Sequence, residues 1–243
     1  MIDQTTAIVL HQIRYSESSL IIKLYTYDFG IQSYIVKGVR SSQRKKNHAA
    51  LFQPLSQLQF TFRKNKRSPL SLFLEGKATP SYQTLHTNPL KISIVFFLSE
   101  LLSQVLHEEE SNPSQYEFLS QSLQFFDNEP DKFANFHLWF MLHLTKYLGF
   151  FPNSHSFDTN HLYLDKKEGH YVSQENENTF SAEISHLFSI FLSQNLTDAL
   201  KVNMNQNLRN KFLVDIIALY QLHHYDISRI KSFKVLEEMM KVY

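Results

Sequence analysis

The hydrophobic period of this chain changes once, at Pro80, and that change divides it into a β-rich first part and a helical second part. Before it, residues 7–14, 20–26, 33–39, 57–63 and 70–78 read as five short strands. Leu58, Phe60 and Phe62 alternate with Gln57, Gln59, Thr61 and Arg63, the two-residue repeat of a half-buried strand. Asp28-Phe29-Gly30 supplies the turn between the second and third strands, residues 65–69 the turn between the fourth and fifth, and residues 40–54 one long connection. Five strands with one long connection predict a closed barrel of the OB type; an SH3-like barrel has similar numbers.

After Pro80, Leu90, Ile94, Phe97, Leu98, Leu101, Leu102, Val105 and Leu106 form the stripe of an amphipathic helix over residues 90–110. Residues 118–126 and 133–148 continue the pattern, and residues 182–194, 208–225 and 228–243 predict three more helices. Between the two helical blocks lies a polar, irregular stretch in which residues 161–164 and 170–172 flank a turn at 165–169, predicting a short hairpin. The expected fold is α+β: a five-stranded OB-type barrel over residues 1–80, then a mostly helical domain over residues 81–243 with a small β-hairpin insert at about 151–180.

Charge follows the same division. Residues 1–80 hold 12 Lys and Arg against four acids, a balance of +8, and residues 81–243 hold 12 against 19, a balance of −7. A basic barrel suits a polyanion, because each neutralised phosphate releases condensed counterions. With no Cys, a disulfide framework, a thiolate zinc site, an iron–sulfur cluster and a cysteine nucleophile are excluded. The five glycines are too scattered for a Walker or Rossmann phosphate loop. No basic n-region precedes the first apolar run and no stretch of about 18 apolar residues occurs, so a soluble, intracellular, cytoplasmic protein is expected.

Catalytic patterns are missing. His107 precedes three glutamates without forming HExxH, His137 and His143 lie on different sides of one helix, and His223 and His224 face apart. His155, Asp158, His161 and His170 cluster in the irregular stretch, with spacing that fits no zinc pattern. Glu237 and Glu238 are adjacent on a helix and cannot converge on one bond, and no GxSxG elbow exists. No catalytic residue, metal or cofactor is expected.

The basic residues carry more. Lys37, Arg40, Arg44, Lys45 and Lys46 fall within ten residues on a strand end and the following loop, able to track a phosphate backbone without fixing a sequence. Arg14 and Lys23 are weaker candidates for the same role, and Tyr25 and Tyr34, on neighbouring strands, are candidates for stacking bases. The rival class is a non-enzymatic interaction module whose OB-like barrel binds a protein or oligosaccharide rather than DNA. A nuclease ranks last, since the barrel's four acids are widely spaced.

At these residues the chain resembles a known family. Tyr15, Glu17, Ser19 and Ile21, then Thr26, Gly30 and residues 36–40 (Val-Lys-Gly-Val-Arg), match the N-terminal signature of the RecO recombination mediators. Residues 52–55 (Phe-Gln-Pro-Leu), 148–152 (Leu-Gly-Phe-Phe-Pro), and Ile230-Lys231-Ser232 with Val235-Leu236 match later motifs in the same order. The resemblance implies an OB barrel, a helical domain and a small insert. It implies binding of single- and double-stranded DNA and strand annealing. It also implies work with RecR, and with RecF in some cases, to replace single-strand binding protein with RecA, and docking of that binding protein's C-terminal tail on the helical part. Lys231 and Arg209 are candidate cations for the tail, though neither is assigned. Many members carry four cysteines as a zinc site after the Leu-Gly-x-x-Pro motif; residues 153–172 have none, so zinc is not expected, and Phe157, Leu162, Leu164 and Tyr171 are expected to hold the hairpin.

Overall fold

The structure, a computed structural model, describes residues 2–39, 51–65, 70–107, 110–227 and 229–242. Two compact units divide the chain, residues 1–128 with 230–233, and residues 129–229 with 234–243.

The first unit opens with the barrel. Its strands are β1 (Ile2–Ser16), β2 (Ser19–Thr26), β3 (Gly30–Lys37), β4 (Gln57–Arg63) and β5 (Ser71–Ala78). They close in the order β1-β2-β3-β5-β4, every pair antiparallel except β3 with β5. β1 is longer than the sequence suggests because it serves two partners. Ile2 to Ile8 pair with β4, while Ala7 to Ser16 pair with β2. The parallel seam is short, Tyr34 with Ser71 and Ile35 with Leu72. Ala7, Val9, Ile22, Leu24, Tyr34, Val36, Leu58, Phe60, Phe62 and Phe73 fill the interior. Phe60 and Phe73 stack at 5.3 Å, and Gly76 makes room for them: a Cβ there would lie 2.8 Å from Phe60 Cβ.

Among the described residues up to Asn128, the barrel is followed in this unit by the helices α1 (Pro89–Val105) and α2 (Pro113–Asn128). Asn88 caps α1, its side chain accepting from the N–H of Leu90 and Lys91, and Pro89 occupies the first turn, where its missing donor costs nothing. Ser99 of α1 donates to the Leu10 carbonyl at 2.5 Å, and Tyr25 of β2 donates to Gln115 of α2 at 2.7 Å. The connector before α1 is also tied down: Gln57 donates to the Tyr82 hydroxyl at 2.7 Å, and His86 Nε2 lies 2.9 Å from the Pro54 carbonyl oxygen.

In the second unit the helices are α3 (Phe136–Leu148), α4 (Ala182–Ser193), α5 (Leu196–Leu200), α6 (Gln206–Leu222) and the greater part of α7 (Ser232–Met239). α3 is buried on nearly every side and ends at Gly149, whose φ of 86° is the left-handed cap that glycine adopts without strain. Tyr220 of α6 donates to the Met141 carbonyl at 2.7 Å, and Trp139 donates to the Gln194 carbonyl at 3.2 Å. A two-residue hairpin, β6 (Tyr163–Leu164) and β7 (Tyr171–Val172), forms where the sequence places it. No helix among the described residues is long and apolar enough to cross a membrane.

Candidate nucleic-acid interface

The barrel's β1–β2–β3 sheet carries the described candidates. Its register sets His11, Lys23 and Ser33 in one row, Ile13, Ile21 and Ile35 in the next, and Ser19 beside Lys37 beyond them. Side chains two residues apart share a face, so Lys23, Ile21, Ser19 and the residues beside them lie on the side opposite the buried Ile22, Leu24, Tyr34 and Val36. Lys37, the last residue of β3, is exposed. Arg14 is exposed on β1, opposite Leu20. Lys23 is half-buried, and its Nζ reaches the Ser103 carbonyl in the last turn of α1 at 3.5 Å. Arg40, Arg44, Lys45 and Lys46 lie outside the described residues. The flanks of that segment, Val39 and Leu51, both pack on the barrel core, and Val39 N–H donates to the Ser18 carbonyl at 3.1 Å.

Tyr34 and Tyr25 do not face solvent, which corrects their reading as base-stacking residues. Tyr34 is 1% exposed, with Phe60 and Phe62 packed T-shaped against it at 5.0 and 5.1 Å. Burial, then the charge of Asp3, drives its hydroxyl well above the usual tyrosine range. Tyr25 is 2% exposed and packs on Tyr116. The exposed tyrosine of this sheet is Tyr15, 61% accessible, which the sequence reading used only as part of a motif. It is the extra residue of a β-bulge, since Arg14 pairs with Leu20 and Ser16 with Ser19.

A second basic run also went unread: Arg63, Lys64, Lys66 and Arg67 supply four cations in five residues, around a turn marked by Asn65 and Pro69. Lys66 and Arg67 lie outside the described residues. Lys64 lies 4.4 Å over the Phe29 ring and 3.8 Å from Asp3, and it lines one cleft with Lys23, Gln32, Ser33, Asn65 and Ser71. Lys37 lines another cleft, where the β3–β5 pairing stops after Ile35 and Leu72.

The geometry thus offers a basic barrel without a catalytic constellation among its described residues, and comparison with known proteins identifies its relatives. The family model described as Recombination protein O N terminal matches residues 1–82, and that described as Recombination protein O C terminal matches residues 86–233. The chain belongs to the RecO family. It is 36% identical to the DNA repair protein RecO of Christiangramia forsetii over 98% of this chain and 99% of that protein. It is 33% identical to that of Flavobacterium psychrophilum, and 34% to that of Flavobacterium johnsoniae, each over 97% of this chain and 98% of the relative.

A RecO-type zinc site does not fit this insert. It has no cysteine, and among the described residues no group of three or more His, Cys, Asp or Glu is arranged to hold a metal ion. His161 instead pairs with Asp158, Nδ1 to Oδ1 at 3.0 Å. The hairpin is held by Ser185 of α4, whose hydroxyl accepts from Leu164 N–H at 2.8 Å and donates to the Phe180 carbonyl at 3.1 Å. Tyr171 hydroxyl donates to the Ser185 carbonyl at 2.9 Å, and the Phe157 ring packs on Tyr171 at 5.1 Å. Leu162 takes no part in this interior, being 39% exposed.

The candidate cation Arg209 is turned inward. It is buried, with Nε donating to Asn135 at 2.9 Å and Nη2 to the Met204 carbonyl at 3.0 Å, while Lys231 is exposed. His137 lies in the same interior, where burial, then the Arg209 charge, lowers its pKa to about 3 and keeps it neutral. His143 stacks on Trp139 at 4.1 Å, with Nε2 3.0 Å from the Phe191 carbonyl oxygen. Both histidines serve packing.

Proposed function

We propose that this chain is a non-enzymatic DNA repair and homologous recombination mediator. It binds single- and double-stranded DNA, anneals complementary strands and, with RecR and in some settings RecF, helps load RecA on DNA covered by single-strand binding protein, whose C-terminal tail it docks. The barrel, residues 1–80, is the nucleic-acid part, and residues 81–243 serve the protein partners. The observation that carries this reading is the exposed Lys37 at the end of β3, leading directly into Arg40, Arg44, Lys45 and Lys46 in a barrel of balance +8, within a chain of the RecO family.

The physical chemistry is that of a phosphate track. Annealing requires two polyanions to approach, and lysine and arginine on a barrel surface lower their repulsion while leaving base edges free to pair. Binding is then tolerant of sequence and steep in salt. Fluorescence-anisotropy titration of a labelled oligonucleotide, single-stranded and duplex, at several salt concentrations is the test. Five neutralised phosphates correspond to a log–log slope of about −3.5 on single strands, at roughly −0.7 each. Replacing Arg44, Lys45 and Lys46 together by Ala flattens it by about 2. An unchanged slope moves the DNA track elsewhere on the protein. No binding of either form at low salt removes the DNA role and leaves the basic barrel as a protein-docking surface.

A further inference from the structure

The bulge in β1 puts an aromatic ring where the barrel's buried tyrosines cannot be. Ordinary pairing would continue the alternation of β1 through Ser16, but the register slips between Arg14 and Ser16 and leaves Tyr15 as the surplus residue. Such an insertion re-aims a side chain locally, and here it leaves a large ring 61% exposed. Tyrosine so exposed gains little for the fold itself, since its apolar area stays in water.

What surrounds Tyr15 indicates a ligand. Along the outer side of the sheet run Ile13, Ile21 and Ile35, paired across three strands, with Ile13 47% exposed. Lys37 lies across β2 from the ring's neighbour Ser16, through Ser19, on this same side, whereas Arg14 pairs with Leu20, which packs on the core, and belongs to the other face. An accessible ring, an apolar row and a cation at its end form the combination that holds unpaired nucleotides: the ring takes a base face and the cation takes a phosphate. A duplex keeps its bases stacked on one another and offers no face to such a ring.

Building on the DNA-binding reading above, we propose that Tyr15 is a base-stacking residue that gives this barrel a preference for single strands, with Ile13, Ile21 and Ile35 as the adjoining apolar floor and Lys37 on the phosphates. The cations act on both forms of DNA; the ring acts on unpaired bases. Tyr15 therefore discriminates between a strand still to be annealed and the duplex that results.

The test is anisotropy titration of the full chain with a mixed-sequence oligonucleotide and with its duplex, for the wild type, Tyr15→Ala and Tyr15→Phe. Tyr15→Ala weakens single-strand binding roughly 5- to 150-fold, the effect of one lost stack, while duplex binding stays within about two-fold. Tyr15→Phe keeps the ring and binds single strands as the wild type does. The single-strand salt slope is the same in all three proteins, because no charge changes. Wild-type affinity of Tyr15→Ala for single strands, or an equal loss on both forms, overturns the proposal while leaving the DNA-binding reading intact. If the wild type binds neither form, the DNA-binding reading itself fails, and the stacking role with it. A thermal melt of Tyr15→Ala matching the wild type shows that any loss lies at the surface and not in folding.

Discussion

Lys91 Nζ donates to the main-chain carbonyl of Asp127 at 2.9 Å, deep in the first unit, and to that of Phe126 at 2.7 Å. A cation thus caps the last carbonyls of α2, which an isolated helix leaves without partners. The same ammonium donates to Thr84 Oγ1 at 2.7 Å, tying the connector before α1 to the end of α2. Lys91→Met keeps the stem but removes the ammonium from these buried oxygens, the Asp127 carbonyl keeping the Thr84 hydroxyl as a donor, and it destabilises the protein by about 2–4 kcal/mol. A urea titration followed by circular dichroism reads this as a lower midpoint; an unchanged midpoint would show that water replaces the ammonium at no cost.

The Asp127 carboxylate works from the other side, accepting from the N–H of Gln83, Thr84 and Leu85 at 2.9, 2.8 and 2.7 Å. Burial pushes its pKa up, but these backbone donors and the Thr84 hydroxyl outweigh it and hold the carboxyl below its ordinary 3.8. A lowered folded pKa stabilises above the unfolded value, and the stabilisation is lost as pH falls through the folded one. Asp127→Asn therefore narrows the stability difference between pH 7 and pH values below 3.8. Parallel acid melts of variant and wild type check this; equal pH dependence would remove Asp127 from the acid response.

Gly76 is a steric requirement of the barrel. A methyl there meets Phe60 Cβ at 2.8 Å and Phe73 Cζ at 2.9 Å, and the first of these atoms is fixed to the β4 backbone. Gly76→Ala must displace a strand or break the Phe60–Phe73 stack, costing about 1–3 kcal/mol. The thermal midpoint falls accordingly, and a wild-type melt would show that β5 yields freely at this point.

The strands were legible where their two faces differ in chemistry. β4 spans Gln57–Arg63, as its alternation indicates, because Leu58, Phe60 and Phe62 face the interior while Gln59 and Thr61 do not. On β3 both faces carry apolar residues, Tyr34 and Val36 inward and Ile35 outward, so period alone does not tell inside from outside. That is why Tyr34 read as a platform and proved to be core. Tyr15 was obscured for another reason: the slip of register that makes it a bulge falls where β1 turns into β2, and an inserted residue leaves no mark in the two-residue alternation. The five-residue α5 lacks the length to show a helical stripe. The basic run at residues 63–67 is visible in composition, but Asn65 and Pro69 mark the same stretch as a turn.

The insert's dependence on Ser185 predicts how it responds to mutation and to chelators. Ser185→Ala removes the acceptor for the buried Leu164 N–H and the donor to the Phe180 carbonyl, a local loss of about 1–3 kcal/mol. Limited proteolysis cuts the variant within residues 151–180 faster than the wild type, whereas a chelator leaves the wild-type digestion pattern unchanged. Faster wild-type cleavage in chelator would reveal a metal contribution.

Lys64 and Lys23 line one cleft but have different neighbours, so their substitutions separate DNA contact from folding. Lys64 is exposed, with only a 3.8 Å approach to Asp3 and the Phe29 ring beneath it. Such a surface pair adds little to stability. Lys64→Ala weakens binding to single and double strands alike and lowers the magnitude of the single-strand salt slope by about 0.7, one phosphate's share, with the melt unchanged. Lys23 reaches the Ser103 carbonyl at the C-terminal end of α1, where a cation offsets the helix dipole. Lys23→Ala therefore lowers the melt as well as any DNA affinity. An unchanged slope in Lys64→Ala would remove Lys64 from the phosphate track.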